Sequence, residues 1–330
     1  MAILSRLRPD NFTSALIATV LLATVLPVRG GSAQAFSVAT QIAIALLFFL
    51  HGARLSRESV IRGMAHWRLH LTVFTATYVV FPLLGLAAGL LAPWPLSPSL
   101  ATGVLFLCCL PSTVQSSIAF TSIAGGNVPA AICSASASNL IGVFLTPLLV
   151  GLLMHAQGGG LSLDSIESIV LQILVPFGIG QLLHPVLGAW AGRHRKLLGL
   201  VDRGSILMVV YGAFSEAVVH GLWHQLSPTG LATMIAVDMV LLALVLAITA
   251  WSGNKLGFNR EDQITIVFCG SKKSLASGVP IANILFAGHS VGMIVLPLML
   301  FHQIQLMACA VLARRYAESG AARRLEPVPN

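Results

Sequence analysis

Two stretches decide how this chain folds: Leu107-Cys108-Cys109-Leu110-Pro111-Ser112-Thr113-Val114-Gln115-Ser116-Ser117 and Phe268-Cys269-Gly270-Ser271-Lys272-Lys273-Ser274. Each interrupts an apolar run, at 99–123 and at 262–287. Proline removes a backbone donor and frees a carbonyl one turn back. Hydroxyls and an amide follow Pro111 at once, while Gly278 and Pro280 follow the second stretch. Ser112 and Ser271 stand 159 residues apart in a chain of 330. Unwound backbone at membrane depth survives only where it lines a cavity or is buried in protein. Two such breaks therefore predict a binding site near mid-bilayer, built from helix ends and freed carbonyls. A pair of proline kinks satisfied by Ser and Thr would leave the same trace.

Composition supplies the membrane. Hydrophobic residues make up 56% of the chain and charged residues 9%, with a mean hydropathy of +0.87. Soluble domains carry about 25% charge, so a water-facing enzyme is excluded, and the apolar content excludes disorder. The runs exceed strand length and lack period-two alternation, which makes the spans helical. Runs at 13–27, 36–53, 69–91, 99–123, 128–155, 166–189, 204–226, 229–251, 262–287 and 291–313 predict ten crossings. Arg6 and Arg8 before the first run and Ala33-Gln34-Ala35 after it resemble a signal peptide. With nine spans to follow, the first is expected to be retained. Cys108, Cys109, Cys133, Cys269 and Cys309 lie in apolar runs and read as buried thiols.

The net charge of +8 follows topology. Arg6 and Arg8, the second loop (Arg54, Arg57, Arg62, Arg68), the sixth (Arg193, Arg195, Lys196, Arg203), the eighth (Lys255, Arg260) and the tail (Arg314, Arg315, Arg323, Arg324) fall on one side. Arg29 stands alone on the other. Basic loops stay cytoplasmic, so both termini are expected inside, in a bacterial inner membrane. Nothing in this placement asks for nucleic acid. The spans fall into two sets of five offset by about 160 residues, and five is odd, so the second set enters from the opposite side. That is an inverted repeat, with residues 1–155 and 156–330 as the halves.

Lys272 and Lys273 lie within a span, Lys272 about 15 Å from its start and Lys273 about 21 Å from its end at the helical rise. A lysine stem cannot snorkel so far. An intramembrane charge costs at least about 2.5 kcal/mol and points to function, or to a structural ion pair. Glu216, with His220 one turn on, is the expected partner across a cavity; Asp238 is a second acid without polar company. Ser134, Ser138 and Asn139 in the fifth span suggest either ion coordination or close helix packing. In the tenth span, His302-Gln303 and Gln305 are polar at depth. No histidines show metal spacing.

The stretches Leu46 to Ser56, Pro111 to Asn127 and Ile266 to Ala276 resemble the bile acid:sodium symporter superfamily, in its bacterial symporter-like branch. The resemblance covers nearly the whole chain. It implies ten helices in two inverted five-helix repeats, with broken, crossing fourth and ninth helices. A panel and a core domain, each drawn from both halves, would move to give alternating access. Sodium-coupled members hold two Na⁺ ions beside the crossing. Carried over, their Ser-Asn pair falls on Ser116 and Ser117, and their fifth-helix hydroxyls on Ser134 and Ser138. The ninth-helix Glu falls on Phe268 and the Gln on Lys272. Hard cations want oxygen ligands and negative charge; an ammonium a few ångströms away repels Na⁺ by about 4 kcal/mol at an effective dielectric of 20.

The expectation is a secondary transporter of a small organic anion, coupled to Na⁺ or H⁺, with the Lys272 ammonium in place of one sodium and Glu216 as its counter-charge. Ser112, Thr113, Gln115, Ser116, Ser117, Ser134, Ser138, Asn139, Glu216, Ser271, Lys272, Lys273, Ser274 and Gln303 are the expected substrate and ion contacts. No further cofactor is expected, and the chain would act as a monomer or homodimer. A membrane-embedded enzyme would need a catalytic constellation that only Glu216 with His220 approaches. The alternative is a non-transporting regulator of ion homeostasis or envelope synthesis.

Overall fold

The protein, seen in a computed structural model, is described over residues 11–54, 66–91, 96–155, 170–219, 221, 226–287 and 291–325. Arg57, Arg62, His220 and residues 166–169 of the sixth run lie outside the described residues. In chain order the helices are α1 (Asn11–Val25), α2 (Gly31–Arg54), α3 (Trp67–Gly89), α4 (Pro98–Cys109), α5 (Gln115–Ile123), α6 (Val128–His155) and α7 (Val170–Leu182), followed by α8 (His184–Arg193), α9 (Arg195–Val219), α10 (Pro228–Lys255), α11 (Arg260–Gly270), α12 (Leu275–Leu285) and α13 (Val291–Leu325). No strand occurs among the described residues. Helices α2, α3, α6, α9, α10 and α13 are each long and apolar enough to cross a bilayer. Large apolar side chains such as Leu83 (61% exposed) and Val240 (58%) stand on the outside, as lipid-facing positions must. The chain is an all-helical, multi-pass membrane protein.

Helix starts follow local chemistry. Ser97 and Ser227 accept hydrogen bonds from Leu100 N (3.4 Å) and Gly230 N (3.0 Å), each with proline at the first helical position. Asn259 caps α11 through Asp262 N at 2.8 Å. The expected fourth run divides into α4 and α5 at residues 110–114, and the ninth into α11 and α12 at residues 271–274. Both breaks fall where proline, glycine and clustered hydroxyls predicted them.

The sixth run departs from expectation. It reads as one span to residue 189, but α7 stops at Leu182 and α8 turns away by 91°. Pro185 is responsible: it has no N–H to continue the ladder, and it sits comfortably in the first turn of a new helix. The seventh run also starts nine residues before its apolar pattern, at Arg195.

Helices α1, α2, α7, α8 and α9 pack on one another, while α3 to α6 pack with α10, α11 and α13. Helix α9 joins the two groups through α12 and α13. In the first group α2 and α7 cross with backbones touching. A Cβ on Gly52 would run into the carbonyl oxygen of Phe177, and one on Gly180 into that of Phe49. Small residues permit such close approach in membranes.

Candidate functional site

The two breaks meet. Ser274 N donates to Pro111 O at 2.8 Å, Ser112 Oγ to Cys269 O at 2.6 Å, and Ser117 Oγ to Phe268 O at 3.1 Å. The stretch at the end of α4 takes five successive carbonyls, from Cys108 to Ser112, out of the helical ladder, and each has a donor. A helix end in a low-dielectric interior must find donors for its last carbonyls. Lys273 Nζ donates to Cys108 O and Leu110 O, both at 2.7 Å. Thr146 Oγ1 donates to Cys109 O at 2.9 Å, Ser274 N serves Pro111 O, and Asn139 Nδ2 donates to Ser112 O at 2.6 Å. In the other break, Ser271 Oγ turns back to Val267 O at 2.6 Å.

Lys273 gains its third carbonyl, Thr77 O at 2.8 Å, from an irregularity in α3. Residues Ala76–Val80 form a π-helical stretch in which Phe81 N reaches back five residues to Ala76 O. In that register the next donor, for Thr77 O, would be residue 82. It is proline and has no N–H. The freed carbonyl goes to the ammonium, which also lies 4.1 Å from the centre of the Phe81 ring. Gln305 clamps the same residue from α13: Lys273 N donates to Gln305 Oε1 at 2.9 Å, and Gln305 Nε2 donates to Lys273 O at 3.0 Å.

Lys272 points elsewhere. It is fully buried, and its Nζ has no hydrogen-bond partner. It sits 3.9 Å over the face of Phe120 and 5.6 Å from the ring of Phe268, in a cation–π arrangement. The sequence reading placed the cation-replacing ammonium on Lys272; among the crossing carbonyls it is Lys273 that stands. Neither lysine is paired with Glu216. That side chain is solvent-accessible in a separate cavity of about 610 Å³, with Arg29, Gln41, Gln172, Ser215 and Asn283 on its walls. The expected Glu–Lys contact is absent because α9 carries Glu216 away from the crossing.

The remaining expected contacts divide. Thr113 Oγ1 lies 2.6 Å from Ser116 Oγ and 3.2 Å from Ser117 Oγ. Ser138 Oγ accepts from Ser112 N at 3.0 Å, beside the Tyr78 hydroxyl, which donates to Ser138 O at 2.6 Å. Ser134 is turned to His70 Nδ1 at 2.6 Å. Ser277 Oγ donates to Asn139 Oδ1 at 2.7 Å, tying α12 to α6. Gln303 is half-buried on α13; the amide that grips the crossing is Gln305. Thr77 and Gln305 are the gripping residues sequence reasoning did not select. Pro82, five residues beyond Thr77, was the available signal for the first.

Beside the crossing lie two cavities of about 220 and 270 Å³ with mixed polar and apolar walls. Gln115, Asn139, Ser277, His51 and Asp202 line both; Thr113, Ser116, Ser274, His302 and Arg203 line the first alone. Arg54 and Asp202 join α2 to α9 by an ion pair at 2.5 Å. The cavities thus open between the two helix groups, with hydroxyls, amides and His302 on one wall and His51, Arg54, Arg203 and the acid Asp202 on the other. Among the described residues no cluster of His, Cys, Asp and Glu could hold a metal ion.

The sequence profile of one protein family, described as the SBF-like CPA transporter family, matches residues 10–318. A Pseudomonas aeruginosa protein named "Uncharacterized protein PA2026" is 60% identical over 98% of both chains. "Putative symporter YfeH" of Escherichia coli is 56% identical over 93% of this chain and 92% of its own. "Sodium/bile acid cotransporter 7" of Rattus norvegicus is 28% identical over 94% of each.

Proposed function

This chain belongs to the SBF-like CPA transporter family, and we propose that it is a secondary transporter of a small organic anion in which the ammonium of Lys273 stands where a coupling cation would bind. That it is a membrane transporter rather than an enzyme follows from the family and its relatives. The rest is our reading. Ten crossings arranged as two inverted repeats would put both termini in the cytoplasm of a bacterial inner membrane. The group of α1, α2, α7, α8 and α9 would serve as the panel and the other helices as the core. Alternating access would expose the cavities beside the crossing to one side and then the other.

One observation carries the coupling proposal. Every carbonyl from Cys108 to Ser112 already has a donor from this chain, and two of the five go to a single ammonium. Carbonyls and hydroxyls at helix ends are what a Na⁺ ion would use. A resident cation supplies the charge permanently, so transport runs without sodium, either proton-coupled or as exchange. The cavity of about 220 Å³, where His51, Arg203 and His302 outnumber the single acid Asp202, suits a small anion with hydrogen-bonding groups.

Proteoliposome counterflow with a panel of labelled small organic anions tests this. We expect uptake that persists when Na⁺ is replaced by K⁺. Full dependence on a Na⁺ gradient, unchanged in Lys273→Gln, contradicts the coupling proposal. Failure of every anion in counterflow contradicts the transport reading of the site. A melting curve adds a check independent of substrate: Na⁺ should stabilise Lys273→Ala, whose carbonyls are vacated, and leave the natural protein unchanged.

A further inference from the structure

After α7 the chain makes a turn that its apolar pattern does not announce. Helix α8 runs at 91° to α7, so where α7 crosses a bilayer α8 travels along its surface. Leu183, Val186 and Trp190 share one flank of this segment and are 42%, 75% and 39% exposed. The other flank is fastened to the protein. Ala191 is buried with Leu50 of α2 and Leu198 of α9, and His184 Nδ1 lies 2.8 Å from Ala53 O. The helix ends in Arg193-His194-Arg195-Lys196, and no Asp or Glu occurs from Leu182 to Leu200. Arg193, His194 and Lys196 are exposed, and the His194 ring stacks on Trp190 at 4.8 Å. The first acid beyond, Asp202, is already held by Arg54.

We propose that α8 and the basic turn after it bind the headgroups of anionic phospholipids. An in-plane helix with an apolar stripe, a boundary tryptophan and clustered basic residues gains from both acyl contact and phosphate attraction. A neutral headgroup offers only the first. Arginine adds a fork that meets phosphate oxygens in pairs. The surface also reaches the cavities beside the crossing through α2. His184 touches the carbonyl of Ala53; the next residue, Arg54, pairs with Asp202, and both line one of those cavities. Lipid bound at α8 therefore braces a cavity wall. This binding surface stands whether or not the substrate and coupling proposals above are right.

Melting of the full-length protein in detergent tests it, with phosphatidylglycerol, phosphatidylcholine of the same chain length, or inorganic phosphate added. Phosphatidylglycerol should raise the melting temperature well above the effect of phosphatidylcholine, and added NaCl should shrink the difference. Equal shifts from the two lipids overturn the proposal. A full shift from inorganic phosphate overturns the membrane surface as the occupant. The variant R193Q/R195Q/K196Q should keep its melting temperature in detergent alone and lose on the order of tenfold or more in apparent affinity for phosphatidylglycerol. Retention of the full affinity overturns the assignment to this turn. If that variant is poorly folded, quenching of tryptophan emission by brominated phosphatidylglycerol, compared between the natural protein and Trp190→Leu, decides instead: unchanged quenching overturns the proposal.

Discussion

Lys272 and Lys273 are neighbours, both fully buried in the same break, yet they are held by opposite kinds of chemistry. Lys273 donates to three carbonyl oxygens from α3 and the end of α4. Lys272 has no hydrogen-bond partner and rests on the faces of Phe120 and Phe268. Adjacent residues of an unwound link point in different directions, so one ammonium falls on the helix ends and the other among rings. The first closes a network of polar backbone. The second is a charge the surrounding side chains tolerate. Deleting each should therefore have very different consequences.

The largest effect should come from Lys273→Met. The change keeps length and apolar volume but removes the donor from Cys108 O, Leu110 O and Thr77 O. Three buried carbonyls then lose their donor, at about 1–3 kcal/mol each before relaxation. Breaking a buried charge network typically costs roughly 3–5 kcal/mol. We expect a loss of that order in chemical denaturation of the detergent-solubilised protein, together with abolished transport. A melting curve like that of the natural protein would mean the ammonium is not what holds the crossing.

Gln305→Leu should come next. Both ends of that amide bond the backbone of Lys273, and its Nε2 also lies 3.0 Å from His302 Nδ1. Two hydrogen bonds at about 1 kcal/mol each, with both backbone partners left buried, predict a loss of roughly 2 kcal/mol by the same measurement. Its effect should be strongly non-additive with Lys273→Met, because the two residues grip one link.

How much of this was legible in the sequence depends on how local the cause was. The breaks were readable because proline, glycine and hydroxyls act within a turn of where they stand. The burial of both lysines was readable because depth in a run is a matter of counting. Their partners were not. Thr77 is some two hundred residues away, and its carbonyl is freed by a π stretch whose sole local hint is Pro82. Gln303 and Gln305 look alike in sequence, and only the facing of α13 separates them. The Glu216–Lys pairing failed for a related reason. An acid and a base in apolar runs invite pairing, but the helix packing put Glu216 on a cavity wall and both lysines in the packed interior. The turn before α8 was hidden because apolar residues continue through it while the backbone does not.

The aromatic side of the comparison is probed by Phe120→Leu. A desolvated ammonium over a ring face is worth about 2 kcal/mol or more, and leucine offers bulk without the quadrupole. We expect a destabilisation of roughly 2 kcal/mol, smaller than for Lys273→Met. It should disappear in the double variant with Lys272→Met, since no cation is left to miss the ring. If the cost persists in that background, Phe120 contributes packing alone.

Lys272→Met should have the smallest effect on stability, and possession of a full charge is the reason. Burying an ammonium with no hydrogen-bond partner carries a desolvation penalty that two rings offset only in part. Methionine fills similar space, makes favourable sulfur contacts with aromatic edges and leaves no acceptor stranded, because Lys272 Nζ serves none. Replacement of buried charge by an apolar side chain of like volume is often neutral or stabilising. Denaturation should therefore move by about 1 kcal/mol or less in either direction, while the same substitution one residue later should cost roughly 3–5 kcal/mol. A conserved melting curve paired with lost transport in Lys272→Met would assign that ammonium to the transport cycle. Conserved melting with conserved transport would leave Lys273 as the sole working cation, and a collapse equal to that of Lys273→Met would mean that the two lysines form one network after all.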